Sequence, residues 1–479
     1  MTTPGIISVR DLGARGDGEH DDTQAVQSAL DRAAGTGATV LIPPGIYACR
    51  TLVIRSRTTV ELAGGATLLG PAGIEGYTPI PYHDAIHEWD RAPLRHFIAI
   101  VDAEQVRIRG AGTIAARGWA WSLDGESPDA WRRHRTPRPD SMVAAVRCRD
   151  LSIEGITLTD PPNWHLDLYC CDRVRLHGIT VASDPRLPNN DGIDISGSRD
   201  VTISDCHVDV GDDGIVINGR GRPVSGIAIV NCHLRSQCGA VKVGWEVSRN
   251  PISRVVVANC VISGCSRGIC AYSCEGATVE DVLVANCVID TCAPVMFARP
   301  IHLDLRRGER SGEIGAMRRF TFSGLNIASP GRILMTCDEA GGHLRDIVLR
   351  DVRLALPYLE DPEPDAEGNT SSQFSNRNRA ARRARAAVVA EHLADLHVDN
   401  LAIAWPDGPV PEAWRIPVKR ENGGRRLFRT DYDRPLPCAW SALWARDVSG
   451  IWRAPRARAS HPEHPAFDLG AACQIGIER

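Results

Sequence analysis

Two short stretches carry the residues best suited to chemistry. NNDGIDIS covers residues 189–196 and GDDGIVIN covers 211–218, and together they supply Asp191, Asp212 and Asp213. A single Asp-Gly pair reads as a turn. Three carboxylates crowded onto one face repel one another, which raises the pKa of at least one. Inverting cleavage of a glycosidic bond needs this division of labour: a protonated carboxyl donates to the leaving oxygen while a carboxylate activates water from the opposite side.

Such a cluster needs a scaffold that holds the two stretches side by side, and an internal repeat supplies one. Strand-like segments begin at Leu151, Val174, Val201, Ile227, Val255 and Val282, in steps of 23, 27, 26, 28 and 27 residues. Weaker copies begin at Val60, Val106, Phe320, Ile347 and Leu396. Each unit alternates apolar and polar residues and turns at Asn, Asp or Gly, and is too small to bury its own face. The units must therefore stack, about 4.8 Å apart. The expected fold is all-β: a single-stranded right-handed parallel β-helix with an N-terminal capping helix.

Stacking puts Cys206, Cys232, Cys260 and Cys287 in one interior column, with Asp205, Asn231, Asn259 and Asn286 as a turn ladder. A second strand column runs through NNDGIDIS, GDDGIVIN, QCGAVKVG, SRGICAYS and APVMFARP. Its first residues, Asp191, Asp213, Gly239 and Arg267, should stand in one row. Period-two alternation then sends Ile193, Ile195, Ile215, Ile217, Val241 and Val243 inward, and Asp194, Ser196, Asn218, Lys242 and Tyr272 onto the face of the aspartates.

The 479 residues are 43% hydrophobic but only 5% aromatic, which suits a core of Val, Ile, Leu and Ala in stacked short strands. The whole chain, 1–479, reads as one β-helix domain. Residues 1–50 form the cap, 51–358 and 396–455 the coils, 359–395 a polar loop with a short basic helix, and 456–479 a tail. In the cap Asp22 can N-cap a helix with Ala25, Val26, Ala29, Leu30 and Ala33 on its apolar stripe. The arginines of the basic helix suit a solvated face or lid better than a nucleic-acid site. A net charge of -4 gives no general pull toward nucleic acid or membrane. The N-terminal residues lack a signal-peptide pattern, which places the chain in the cytoplasm unless a signal was removed. The sixteen cysteines read as reduced core thiols, and no cofactor and no metal site is expected.

NNDGIDI and GDDGIVI resemble the paired Asn-x-Asp and Gly-Asp-Asp motifs of the polygalacturonases, glycoside hydrolase family 28. The stretch from RPDSMVAAVRCRD to RVRLHGITV is similar to that family's coils leading into the site, and DLGARGDGEHDDTQAVQSAL with IPPGIY resembles the cap of pectin-acting β-helices. The resemblance implies an inverting hydrolase. It gives Asp212 the role of general acid, and Asp191 and Asp213 that of holding and deprotonating the water. The family's Gly-His-Gly histidine falls on Gly239, and its Arg-Ile-Lys motif falls on Cys270, Ala271 and Tyr272. The expected substrate is therefore a pectin-like or related saccharide other than ordinary homogalacturonan.

Lys242, Arg267 and Arg299 are the candidate replacement cations, and Trp245 and Glu246 should reach the cleft wall, Trp245 by stacking on sugar. His165, in PPNWH one coil before Asp191, reads equally as substrate ligand or structural residue. Insertions at 71–95 and 115–140, the second carrying Trp119 and Trp121, are long enough to close one groove end and favour exo-action. Two rivals stand beside the hydrolase: a polysaccharide lyase on the same architecture, and a non-catalytic carbohydrate-binding β-helix.

Overall fold

Period-two alternation becomes a stack of coils, each contributing short parallel strands to three sheets. The structure, a computed structural model, describes residues 5–80, 94–123, 134–245, 248–292, 298–359, 379–415 and 439–478. Its strands form a long parallel sheet system with right-handed β-helix architecture. The chain divides into two compact units, one of Met1–Val216 with Arg220–His233 and one of Ile217–Gly219 with Leu234–Arg479.

In the first unit the repeat sets the register. Val106, Leu151, Val174, Val201 and Ile227 are successive partners in one sheet. Val60 joins two residues later in the pattern, opposite Ile108. A second sheet, here the site sheet, stacks Ile98–Val101, Val143–Val146, Leu166–Tyr169 and Ile193–Ser196. The core between the sheets is Val, Ile and Leu, as the low aromatic content requires.

The second unit repeats the arrangement. Val255, Val282, Phe320, Ile347 and Leu396 are successive partners. Its site sheet stacks Gly239–Val243, Arg267–Ser273, Arg299–Leu305, Ile333–Cys337, Ala386–Asp399 and Ser441–Arg453.

The turn ladder takes a left-handed backbone. Asp205 and Asn231 have φ of 58° and 56° in the first unit, and Asn259 and Asn286 have 56° and 55° in the second. Asn and Asp tolerate this region because the short polar side chain bonds locally. The cysteine after each is buried, and Cys206 and Cys287 donate to the carbonyls of Ser204 and Ala285 at 3.1 and 3.2 Å. Among the described residues fifteen cysteines are free thiols.

Helix α1, Thr23–Ala33, buries Val26, Ala29, Leu30 and Ala33, while Ala25 is only partly covered. Val26 and Leu30 face Ile42, Leu52 and Ile98 across a small cavity at the start of the coil core, so the helix does close that end. Asp22 precedes it but does not cap it with its side chain. Its carboxylate instead accepts the Arg15 and Gly16 N–H groups at 2.7 and 2.9 Å, which ties the entering loop to the helix.

Three sequence boundaries shift. The short basic helix α2, Arg379–Arg383, is followed at once by the strand Ala386–Asp399, so the inserted stretch ends ten residues before 395. The tail holds two strands, Phe467–Leu469 and Gln474–Ile477, both parallel to Ser441–Arg453. The strand after SRGICAYS is Arg299–Leu305, so Arg299 opens that strand, while most of APVMFARP lies outside the described residues. Among the described residues no helix is long and apolar enough to cross a membrane.

The ladder predicts a size-independent asymmetry at Asn259. Asn259→Val, forcing a β-branched residue into the left-handed region, should lower stability by about 1–2 kcal/mol, whereas Asn259→Gly should leave it near the parent value. Urea-unfolding midpoints of the two variants check this. Equal losses would mean that the Asn side chain, not its φ, matters.

Candidate active site

In the first unit the two aspartate-bearing stretches are locked through Asn190, which is fully buried. Its Oδ1 accepts the N–H groups of Gly211 and Asp212 at 3.1 and 2.9 Å, while its Nδ2 donates to Ser183 Oγ and the Asp184 carbonyl at 2.9 and 3.0 Å. One side-chain amide thus fixes the turn that presents Asp212. Gly211 has no alternative there, since a Cβ would sit 2.0 Å from the Pro185 carbonyl oxygen. The Asp212 Oδ1 accepts the Asp213 N–H at 3.0 Å, and its Oδ2 has a long contact, 3.5 Å, from Asn189 Nδ2. Arg138 donates to Asn189 Oδ1 at 2.6 Å, steadying that side chain.

Asp191 and Asp213 stand on successive coils, because Gly192 N–H donates to the Asp213 carbonyl at 2.9 Å and His165 N–H to that of Asp191 at 2.9 Å. Both are buried, and Asp212 is the more exposed of the three. His165 is fully buried behind Asp191. Its Nδ1 also meets the Asp191 carbonyl, at 2.8 Å, so Nδ1 must carry the proton. Burial outweighs that bond and pushes the imidazole down to about 4.

Asp194, expected on the same face, is buried and in register with Asp167. Burial drives Asp167 up to about 6, opposed by Arg220 and reinforced by Asp140. Trp119 lies under the Arg186 guanidinium, 5.2 Å from its ring centroid, and Arg186 in turn pairs with Asp184. That insertion therefore braces the loop before Asn190. Trp121 is buried against Tyr77 instead. Residues 81–93 and 124–133, parts of the two expected walls, lie outside the described residues.

In the second unit Gly239 and Arg267 form one row, as the spacing predicts, and Arg299, expected at the end of its strand, joins that row instead. Lys242, Trp245, Arg267 and Tyr272 come together, with Lys242, Arg267 and Tyr272 buried rather than exposed and Trp245 partly buried against them. Arg267 donates from Nη1 to Tyr272 Oη at 2.7 Å and from Nη2 to Cys238 Sγ at 3.1 Å. The Tyr272 hydroxyl, already an acceptor, donates to His302 Nδ1 at 3.1 Å. Burial pushes His302 down to about 3 and Tyr272 well above its ordinary value. Trp245 packs edge-on to Tyr272, centroids 5.0 Å apart, with Lys242 Nζ 5.1 Å from its own centroid. Arg299 donates to the Ala298 carbonyl at 2.6 Å. Asn218 is buried, and Glu246 lies outside the described residues.

Sequence reasoning missed Asn190 as the residue that sets the turn, and missed His302 and Asp304 altogether. Both follow from aligning RPIHLDL with SRGICAYS, which puts His302 beside Cys270 and Asp304 beside Tyr272. Asp304 is buried with Arg306. Burial raises its carboxyl, but the charge and hydrogen bonds of Arg306, with Arg382, outweigh that and hold it far below the carboxylate range.

Residues 39–297, just over half of the chain, match the family described as glycosyl hydrolases family 28. Residues 6–71 match rhamnogalacturonase A/epimerase, pectate lyase-like. A maize (Zea mays) exopolygalacturonase is 26% identical over 55% of this chain and 61% of its own length. A polygalacturonase of Malus domestica is 26% identical over 55% of this chain and 54% of its own. The chain thus spans roughly three-fifths of the length of the curated relatives it matches. Among solved structures, an exopolygalacturonase of Thermotoga maritima superposes with a TM-score of 0.62 at 19% identity, covering 83% of this chain and 91% of that one. A surface adhesin of Streptococcus pneumoniae superposes with 0.55 at 16%, covering 83% and 90%. At these identities the superpositions speak for the fold alone.

Asp167 gives a test independent of activity. Its folded value of about 6 lies above the model-compound 3.8, so the folded chain binds the proton more tightly, and stability is lost as pH rises through about 4 to 6. Asp167→Asn should be more stable than the parent at pH 7, by at most about 3 kcal/mol, and lose that advantage by pH 4. Denaturation midpoints at the two pH values decide it, and a pH-independent difference rejects it.

Proposed function

Since the chain belongs to glycosyl hydrolases family 28, we propose that it hydrolyses glycosidic bonds of a pectin-like or related saccharide, with inversion at the anomeric carbon. The observation that carries this reading is the Asn190 clamp, which fixes Asp212 on its turn while the backbone ladder stacks Asp191 on Asp213. Asp212, the most exposed carboxyl, is the general acid. With Oδ1 engaged by the Asp213 N–H, Oδ2 is the oxygen that delivers the proton to the leaving group. Asp191 and Asp213 hold and deprotonate the attacking water on the opposite face of the sugar. His165 positions Asp191 from behind through its carbonyl.

The substrate differs from ordinary homogalacturonan in this reading. Gly239 stands where the family carries a histidine, and Tyr272 where the family carries the lysine of its Arg-Ile-Lys motif. Arg267, in the next strand of the same row, extends to Cys238 and Tyr272 and is held ready to meet an acidic or hydroxylated group. Lys242 and Trp245 add a cation and a ring face for a sugar. Asp194 follows Asp191 on the same stretch, and Asn218, Arg299 and Glu246 are sequence-based candidates for binding the sugar. The action is exo, or on short oligosaccharides. The chemistry calls on no cofactor and no metal, since carboxyl groups perform every proton transfer. A reducing compartment such as the cytoplasm suits the free buried thiols, and neither nucleic acid nor membrane enters the reading.

Asp212→Asn should cut kcat on pectic oligosaccharides, whose sugar leaving group needs the proton, by about a hundredfold to ten-thousandfold with circular dichroism unchanged. NMR of the first-formed anomer should show inversion. Near-parental activity of Asp212→Asn removes it as the acid, and sugar binding without turnover in the parent points to a binding protein. An absorbance rise near 235 nm would instead identify a lyase. Asn190→Ala should lower kcat by about tenfold or more while KM moves little, since it frees the turn and not the sugar contacts.

A further inference from the structure

Within the second unit one row of outward side chains can be followed along the site sheet from Lys242 through Cys270, His302, Leu334 and Val389 to Trp444. Its character changes midway. Lys242 and His302 are polar, whereas Leu334, Val389 and Trp444 are apolar. The change coincides with α2, whose Ala381, together with Ala384 just after it, packs on those three side chains.

Buried polar contacts hold α2 there. Arg332 donates to the Ala384 carbonyl at 2.6 Å and the Arg382 carbonyl at 2.9 Å, satisfying acceptors at the helix C-terminal end, and its guanidinium lies 5.6 Å from the Trp440 ring centroid. Arg382 reaches back to Asp304 Oδ2 at 3.5 Å. Asp304 also binds Arg306 and meets Thr336 Oγ1 at 3.4 Å. The one carboxylate thus joins the helix to the strand that carries His302.

We infer that α2 is the end wall of the saccharide-binding face in this unit, and that the face stops at the strand of His302 and Asp304. This rests on the hydrolase reading above. From Lys242 to His302 the row advances two strands, about 10 Å, room for about two sugar residues before the wall. The substrate is therefore a saccharide taken by one end, which abuts α2, with Arg382 and His302 nearest to it. The basic helix is a specificity element in this inference: its arginine is committed to Asp304.

The test uses the full chain with pectic oligosaccharides from disaccharide to octasaccharide and a short aryl glycoside. Two variants undock α2 independently. Ala381→Glu sets a carboxylate against Leu334 and Trp444, and Arg332→Ala removes the C-terminal clamp. Faster tryptic cleavage after Arg382, located by mass spectrometry, reports the undocking. In the parent kcat/KM should level off by the tetrasaccharide. In the undocked variants the ratio of octasaccharide to trisaccharide kcat/KM should rise at least about tenfold while the aryl glycoside is still cleaved. An unchanged ratio in undocked variants, or a parent that already prefers the octasaccharide tenfold, overturns the wall and leaves the hydrolase intact. A parent that cleaves none of these sugars overturns the hydrolase reading and the wall with it.

Discussion

Everything in this protein depends on the backbone ladder between successive coils. A parallel strand must donate and accept at fixed intervals, so each coil sets the position of the next to within one hydrogen-bond register. The Gly192 N–H on the Asp213 carbonyl and the His165 N–H on that of Asp191 belong to that ladder. The geometry of the candidate site is here a by-product of fold-making bonds. A one-residue slip would turn Ile193, Ile195, Ile215 and Ile217 outward and Asp194 and Asn218 inward, which the Val, Ile and Leu core forbids.

The ladder fixes height along the stack but leaves the turns free, and side chains settle those. Asn190 does so for Asp212, and Asp22 does so for the cap by gathering the Arg15 and Gly16 N–H groups. The two units differ in their polar chemistry. Acidic groups dominate the face of the first at Asp167, Asp191, Asp194 and Asp213, whereas arginines dominate that of the second at Arg267, Arg299 and Arg306. Buried charge of either sign persists only when the surroundings answer it. Asp304 is answered by two guanidiniums, whereas Asp167 is answered mainly by its shift toward the neutral form.

Much of this was legible in the residues because the repeat is regular. Leu151, Val174, Val201 and Ile227 fall into register as their spacing requires, and so does the row of Gly239 and Arg267. The aspartate cluster was legible for the same reason. Two things were not. Exposure could not be read, since alternation tells inward from outward but not whether loops and neighbouring side chains cover the outer face, and so Asp194, Lys242 and Tyr272 proved buried. Partners across long loops could not be read either. Arg382 meets Asp304 over 78 residues, and no local pattern announces that. His302 and Asp304 were hidden more simply, by a strand that starts at Arg299 where the apolar run APVMF suggested an earlier start.

Helix α1 has a meaning beyond the packing of its apolar stripe. A stack of coils has no intrinsic last member: its terminal strand offers the same unpaired N–H and C=O groups that every internal strand uses to recruit its neighbour. A plug of Val26, Leu30 and Ala33 over the first coil ends that series on one side. It thereby limits end-to-end polymerisation, acting as much on colloidal behaviour as on stability, and leaves a chain of indefinite pattern with a definite length.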